Sequence, residues 1–212
     1  MLACLLVAPV APLRILFLGN SHTAVNNVPA MVQQLLGGEK KVATELRTGA
    51  YLEDLASDGT IAARVKDFDV LVLQAAKISS SHKYVYSQVK GTALAKAAVR
   101  AGVRTFLFAE WPRRGWDETE FILNVYRGIA KGSGATIVPA GKAWDRALKM
   151  DPTLTLWASD GNHADLAGSY LAACTLAMWI SHGTTRLDWK PTRLESGAAK
   201  QVRQSVFATW KK

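Results

Sequence analysis

The sequence predicts a three-layer α/β/α sandwich built on a five-stranded parallel sheet. Short apolar runs recur along the chain, and segments of helical character separate them. Most of these runs are apolar throughout, which is typical of strands that are covered on both faces. Strands that alternate with helices favour parallel crossover connections. Because the 212 residues contain no internal repeat or linker, residues 13–212 are expected to form a single domain.

Five strands are predicted, at residues 14–18, 42–47, 69–74, 103–109 and 135–138. The first is apolar and runs directly into Gly19. The second alternates between apolar and polar residues, as strands also do. The third is apolar between polar ends and is the clearest buried strand of the chain. The fourth and the shorter fifth complete the sheet.

Helices are predicted at residues 28–36, 52–65, 85–101, 118–130, 142–149, 164–181 and 195–210. The first has Asn27 as its N-cap and Pro29 in its first turn, and it stops at Gly37. Gly59 weakens the middle of the second, and Gly102 ends the third. The last is basic and amphipathic, and we interpret its charged residues as a solvated helix face.

The composition excludes several classes of protein. Hydrophobic residues make up 49% of the chain and charged residues 20%, which rules out a disordered or collagen-like chain. The two cysteines, Cys4 and Cys174, cannot form a disulfide scaffold. No apolar run approaches the roughly 18 residues of a membrane-spanning helix. The net charge of +9 is scattered, with no basic helix interleaved with aromatic residues, so no nucleic-acid partner is expected.

The N-terminal segment, residues 1–12, is small and apolar. We interpret it as the remnant of a secretion signal, which favours a secreted or periplasmic location. An ordinary N-terminal leader is the alternative, because the segment is short and lacks the basic start of a signal peptide.

Polar segments follow the predicted strands where parallel strands end. These segments cover residues 19–23, 48–50, 74–77 and 110–114, and a fifth, residues 160–163, precedes the longest helix. Ligands of open parallel sheets bind outside the carboxyl ends of the strands. The predicted topology brings all five segments to that edge, where we expect the functional site.

Ser21 is a candidate nucleophile, because it lies in a tight turn at the tip of a buried strand. A serine hydroxyl needs a base to take its proton, and His163 is the predicted base. Asp160, three residues before His163, can orient the imidazole and stabilise its charged form. His22 is a rival base, and each of these residues also has a simpler interpretation as turn or helix-cap chemistry.

Donors for a developing oxyanion are available at the same edge. We expect them to be the backbone N–H groups of Ser21 and Gly49 and the side-chain amide of Gln74. Trp111 is interpreted either as a platform for a substrate ring or as core packing. Arg113 and Arg114 beside it are suited to binding a substrate carboxylate.

Cofactor and metal sites are not expected. No His/Cys cluster has the spacing of zinc ligands, and neither phosphate-binding glycine motif occurs. The predicted architecture is flavodoxin-like, so phosphate or flavin binding at the Ser21 turn remains one alternative function. Binding of a glycan without turnover is another.

Taken together, these segments resemble the sequence blocks of the SGNH/GDSL hydrolase superfamily over residues 13–173. The first block of that family is a strand followed by Gly-Asp-Ser or a variant, and residues 15–23, ILFLGNSHT, resemble the variant with Asn. Gly49 matches the glycine of the second block, and residues 160–163, DGNH, match the Asp-x-x-His of the last. The third block usually contains Gly-x-Asn-Asp. This chain has Gln74 there and resembles a branch that carries Gln after the third strand.

The resemblance implies ester hydrolysis without a metal, with Ser21 as nucleophile, His163 as base and Asp160 as the residue that orients the base. Substrates in such a family include acylated carbohydrates, lipids and thioesters. We expect a small-molecule or glycan acyl ester, and the Trp111 segment favours deacetylation of a carbohydrate.

Overall fold

The central sheet is five-stranded and parallel, in the order β2–β1–β3–β4–β5. The computed structural model describes residues 12–38 and 40–211, so the interpretation of the N-terminal segment rests on residues that lie almost wholly outside it. The strands are β1 (Arg14–Gly19), β2 (Lys41–Leu46), β3 (Val70–Leu73), β4 (Arg104–Ala109) and β5 (Thr136–Pro139). The predicted fold class is confirmed. Because the chain reverses its direction across the sheet after β2, the switch point lies between the carboxyl ends of β1 and β3.

Helices cover both faces of the sheet. They are α1 (Ser21–Ala24), α2 (Val28–Leu35), α3 (Leu52–Ala56), α4 (Gly59–Arg64), α5 (Val89–Arg100), α6 (Thr119–Ser133), α7 (Ala140–Met150), α8 (Leu166–Ile180) and α9 (Ser196–Trp210). Phe17 and Val72 point from the sheet into a core shared with α2, α7, α8 and α9. Leu16 and Leu71 point the other way, toward α3 to α6. This alternation explains why the inner strands β1 and β3 are apolar on both faces.

The predicted helix at residues 52–65 is wrong, because the structure has two helices there. Helix α3 ends before Ser57, and Asp58 begins α4 by accepting a hydrogen bond from the Thr60 N–H at 3.0 Å. An Asp side chain that caps a new helix competes with continuation of the old one. The chain therefore breaks one residue before Gly59.

The predicted start of the helix at residues 85–101 is also wrong. Residues 74–88 form an irregular loop, and α5 begins at Val89. Val85 is 92% exposed, so its apolar character does not reflect burial. This loop crosses the carboxyl edge of the sheet, where it borders the candidate site.

Helix α8 is buried on nearly every side. It packs between the sheet and α9, and Ala199, Val202 and Val206 on α9 cover its outer face. A helix that is apolar all round requires such enclosure. The basic C-terminal segment therefore has a packing face as well as a solvated one. In the described part of the chain, no helix is both long enough and apolar enough to cross a membrane.

Candidate active site

Ser21 begins a short helix at the carboxyl end of β1. Asn20 caps this helix, and its side-chain oxygen accepts a hydrogen bond from the His22 N–H at 3.1 Å. The turn has no room for a side chain at Gly19, since an added Cβ would lie 2.6 Å from Thr23 Oγ1. The sequence therefore directs Ser21 out of the sheet edge through a crowded, hydrogen-bonded turn.

His163 lies in a compact loop just before α8. The His163 carbonyl accepts a hydrogen bond from the Ala158 N–H at 2.9 Å, which closes the loop. Asp160 Oδ1 accepts hydrogen bonds from the N–H groups of Asn162 and His163, both at 2.9 Å. This local turn leaves the other carboxylate oxygen of Asp160 free to face the imidazole.

Ser21, His163 and Asp160 form one continuous hydrogen-bonded chain. The distance between Asp160 Oδ2 and His163 Nδ1 is 2.6 Å, and that between His163 Nε2 and Ser21 Oγ is 2.9 Å. Because a carboxylate only accepts, Nδ1 carries the ring proton, and Nε2 of the neutral ring accepts from the Ser21 hydroxyl. The bond from His163 and the two backbone N–H groups hold the pKa of Asp160 well below its usual range. Asp160 is therefore ionised at neutral pH, as an orienting carboxylate must be.

Solved structures with this architecture carry hydrolase names. A candidate SGNH hydrolase from Slackia heliotrinireducens is 26% identical, and the match covers 80% of this chain and 99% of that one with a TM-score of 0.65. No protein-family model matches the chain, and no curated protein matches its sequence. This likeness supports the resemblance of the chain to the SGNH/GDSL hydrolase superfamily.

Two further structures share the fold at lower sequence identity. One is a GDSL-like lipase candidate from Parabacteroides merdae, with 19% identity, coverage of 83% of this chain and 100% of that one, and a TM-score of 0.60. The other is an acetyl-xylooligosaccharide esterase from Geobacillus stearothermophilus, with 16% identity, coverage of 87% and 99%, and a TM-score of 0.59. These two likenesses support the fold, and the 26% identical structure from Slackia heliotrinireducens supports a hydrolase at the level of the superfamily.

Two backbone donors remain available at this edge of the sheet. The N–H groups of Ser21 and Gly49 donate no hydrogen bond within the described residues. Gly49 has a φ of +73° in an exposed turn after β2, a conformation that favours glycine. An added Cβ there would meet nothing within 4 Å, so the backbone conformation and not space calls for glycine.

Gln74 does not line the site as predicted, because the structure buries it completely beneath the Ser21 turn. Its Oε1 accepts hydrogen bonds from the Asn20 N–H at 3.0 Å and from Thr23 Oγ1 at 2.9 Å. Its Nε2 is enclosed and has no hydrogen-bond partner among the described residues. Since β3 lies directly beside β1, the long side chain of Gln74 supports the turn from below instead of reaching over it.

His22 is not placed as the alternative base. Its ring stacks on that of His163 with centroids 5.2 Å apart and meets the Trp111 ring edge-on at the same distance. Burial, together with the nearby His163, lowers the pKa of His22 to about 4. His22 is therefore a neutral packing partner of His163 at physiological pH.

Trp111 is part of the core, and too little of its surface is exposed for it to serve as a platform for a substrate ring. It is 3% exposed and stacks on Trp144 with centroids 4.8 Å apart and an angle of 11° between the rings. Its Nε1–H donates to the Asn162 carbonyl at 2.9 Å. Of the two interpretations of Trp111, packing is the one that the structure supports, and this packing buttresses the His163 loop.

The two arginines after β4 are also committed to internal contacts. Arg113 forms an ion pair with Glu118 and donates to the Ser80 carbonyl at 2.9 Å. Arg114 donates to the carbonyls of Trp157 and Ala158 at 3.0 and 2.7 Å. The predicted binding of a substrate carboxylate by these side chains is therefore not supported, because a carboxylate and backbone carbonyls of the protein itself already bind them.

A cavity of about 220 Å³ opens beside the hydrogen-bonded chain. Its lining includes Asn20, His22, Tyr51, Ser79, Glu110 and Asn162. A larger cavity, of about 740 Å³, lies at the N-terminal ends of α8 and α9 and is not lined by Ser21, His163 or Asp160. The smaller cavity is not lined by these three residues either, but it is lined by their chain neighbours Asn20, His22 and Asn162, and we therefore assign it to the candidate site. Sequence reasoning gave no role to Glu110, although a charged residue directly after a buried strand is a signal of one.

Proposed function

We propose that the protein is a serine esterase that works through an acyl-enzyme. The observation that carries the proposal is the unbroken chain from Ser21 Oγ through the His163 ring to Asp160, with distances of 2.9 and 2.6 Å. Residues that lie 142 positions apart in sequence meet at these atoms. A neutral imidazole that accepts from a serine hydroxyl while donating to a carboxylate is the arrangement that activates the hydroxyl.

The geometry supports a two-step reaction. In the first step, Ser21 Oγ attacks the ester carbonyl while His163 Nε2 takes the hydroxyl proton. The N–H groups of Ser21 and Gly49 are the available donors to the oxygen that becomes negative. The intermediate collapses with loss of the alcohol, which receives the proton from His163. In the second step, His163 activates a water that releases the acid and restores Ser21.

An acetylated carbohydrate is the substrate class that we propose. The cavity beside Ser21 is lined by amide, hydroxyl and carboxyl groups together with apolar side chains such as Ile78 and Ile122, and the polar groups suit a hydroxylated alcohol. One structure that shares the fold is named an acetyl-xylooligosaccharide esterase. A His163 ring distant from Ser21 would have favoured glycan binding without turnover. The distance of 2.9 Å between His163 Nε2 and Ser21 Oγ supports hydrolysis instead.

The test is hydrolysis of 4-nitrophenyl acetate by the wild type and by Ser21→Ala. We expect the variant to lose activity by on the order of 10⁶-fold, as expected for removal of a serine nucleophile. Its thermal unfolding should match that of the wild type. Ser196→Ala, at an exposed serine that begins α9, is the matched control and should remain active. A wild type that is inert toward a broad panel of acyl esters would overturn the proposal.

A further inference from the structure

Glu110 is a buried carboxyl group that the proposed reaction does not use. It directly follows β4, it is 8% exposed, and it lines the cavity beside Ser21. In the described part of the chain, no basic side chain forms an ion pair with it. Burial of a carboxyl group without a cation is unfavourable, so such a group at a pocket is a candidate for function.

The two oxygens of Glu110 have different surroundings. Oε2 accepts a hydrogen bond from the Tyr126 hydroxyl at 2.6 Å, and the Tyr126 oxygen accepts from the Ala76 N–H at 3.3 Å. Oε1 accepts no hydrogen bond from the described residues. It is not fully enclosed, since the buried polar atoms without a partner do not include it. Since Glu110 lines the cavity, Oε1 is the oxygen that a ligand can reach.

The cavity extends from Glu110 to the immediate chain neighbours of the proposed reacting residues. Asn20 and His22, which flank Ser21, line it, and so does Asn162, which precedes His163. Its volume of about 220 Å³ suits a group of the size of one sugar ring. An ester bound at Ser21 can therefore extend its alcohol portion over Glu110.

We propose that Glu110 is a specificity-determining residue whose Oε1 accepts a hydrogen bond from a free hydroxyl on the alcohol portion of the substrate. The inference rests on the proposed esterase function and assigns the polar cavity to a hydroxylated alcohol. An apolar group there would leave Oε1 without a partner and without water, which is costly. A site built to hydrogen-bond a hydroxyl group discriminates strongly against substrates that lack it.

Burial raises the pKa of Glu110 to about 7, and the hydrogen bond from the Tyr126 hydroxyl is the main effect that opposes this rise. The ionised carboxylate accepts a hydrogen bond through Oε1 while the Tyr126 hydroxyl holds Oε2 in place. Tyr126 is therefore the positioning residue for Glu110.

The experiment compares Glu110→Gln with the wild type on two esters. One is a methyl xyloside with a single acetyl group, which keeps free hydroxyls, and the other is 4-nitrophenyl acetate, which has none. We expect the ratio of kcat/KM for the xyloside to that for 4-nitrophenyl acetate to fall about tenfold or more, mainly through KM, because a hydrogen bond to a charged group is lost. Glu120→Gln, the same change at an exposed carboxylate on α6, is the control and should leave the ratio unchanged.

The outcomes separate this inference from the esterase proposal. If Glu110→Gln leaves the ratio of the two kcat/KM values unchanged, the proposed role of Glu110 is overturned. An equal loss of kcat/KM on both esters is one such result, and it would identify Glu110 as a structural residue. A wild type that hydrolyses only 4-nitrophenyl acetate overturns the hydroxylated alcohol but leaves the esterase standing. A wild type that is inert toward both esters overturns both proposals. If Glu110→Gln does not fold, Glu110→Asp, which keeps a carboxyl group but withdraws it by one methylene, is measured against the same ratio.

Discussion

Replacement of Gln74 by Leu tests whether this residue supports the nucleophile turn or donates to an oxyanion. In the structure, Oε1 of Gln74 accepts from the Asn20 N–H and from Thr23 Oγ1 at 3.0 and 2.9 Å. Leu removes this acceptor and leaves two donors unpaired in buried or half-buried surroundings, at roughly 1–3 kcal/mol each. It also removes Nε2, which has no partner among the described residues, and so recovers part of that cost. We expect a net loss of about 1–3 kcal/mol in the free energy of unfolding.

Urea unfolding of Gln74→Leu, Thr23→Val and the double variant measures this effect. Thr23→Val removes one of the two donors and keeps the shape of the side chain. If Gln74 acts through Thr23, the two substitutions are not additive, and a double-mutant cycle gives a coupling energy of about 0.5–1.5 kcal/mol. Additive effects would show that the two residues are not coupled.

An oxyanion donor would behave differently. In that case Gln74→Leu would unfold at the same urea concentration as the wild type, and kcat for an acyl ester would fall by on the order of 10²–10³-fold. This result would refute our reasoning from the buried geometry and restore the role that the sequence predicts.

Three further predictions follow from single contacts. Asp160→Asn should lower kcat by on the order of 10²- to 10⁴-fold with the fold intact. The amide oxygen of Asn can still accept from the loop N–H groups, but its NH₂ group then faces the Nδ1–H of His163, and two donors cannot form a hydrogen bond. An unchanged kcat would show that Asp160 has no role in the reaction. The pKa of Glu110 rises from an ordinary 4.5 to about 7 on folding, so the unfolded chain releases this proton at lower pH. The stability of the wild type relative to Glu110→Gln should therefore fall between about pH 4.5 and 7, by on the order of 3 kcal/mol in urea unfolding, and a flat difference would contradict the shift. Gly168→Ala should destabilise the protein by roughly 1–3 kcal/mol or more, since its Cβ would lie 2.1 Å from a backbone oxygen. Gly128→Ala, in open space on α6, should instead raise the melting temperature slightly, and equal effects at the two sites would argue against the crowding at α8.

The sequence predicted the elements well where burial of their side chains produces a regular pattern of apolar residues. The inner strands β1 and β3 are apolar on both faces because helices cover both faces of the sheet, and this pattern is visible without a structure. The helix start at residue 85 failed because Val85 is apolar but exposed, and a single chain does not reveal which apolar residues find a partner. The helix at residues 52–65 failed because the cap at Asp58 outweighed the helical pattern on either side of it.

The same distinction applies to the candidate site. A position directly after a strand places Trp111 and Gln74 at the correct edge of the sheet, and the structure agrees. Whether a side chain there points outward or inward depends on its neighbours across the fold. Trp144 is 33 positions from Trp111 in sequence, and the stacking of the two rings places Trp111 in the core. Glu110 meets Tyr126 in the same way, across the space between β4 and α6.

The sequence by itself determined the fold class, the edge of the sheet that carries the polar turns, and the pairing of Asp160 with His163. All of these depend on residues that are near neighbours or on the periodic burial of single elements. Only the tertiary structure decided that Ser21 Oγ meets His163 Nε2, that Gln74 lies beneath the turn, and that one oxygen of Glu110 faces a cavity. Those contacts join distant segments, and their geometry is set by how the helices pack on the sheet and how the loops at its edge fill the space between them.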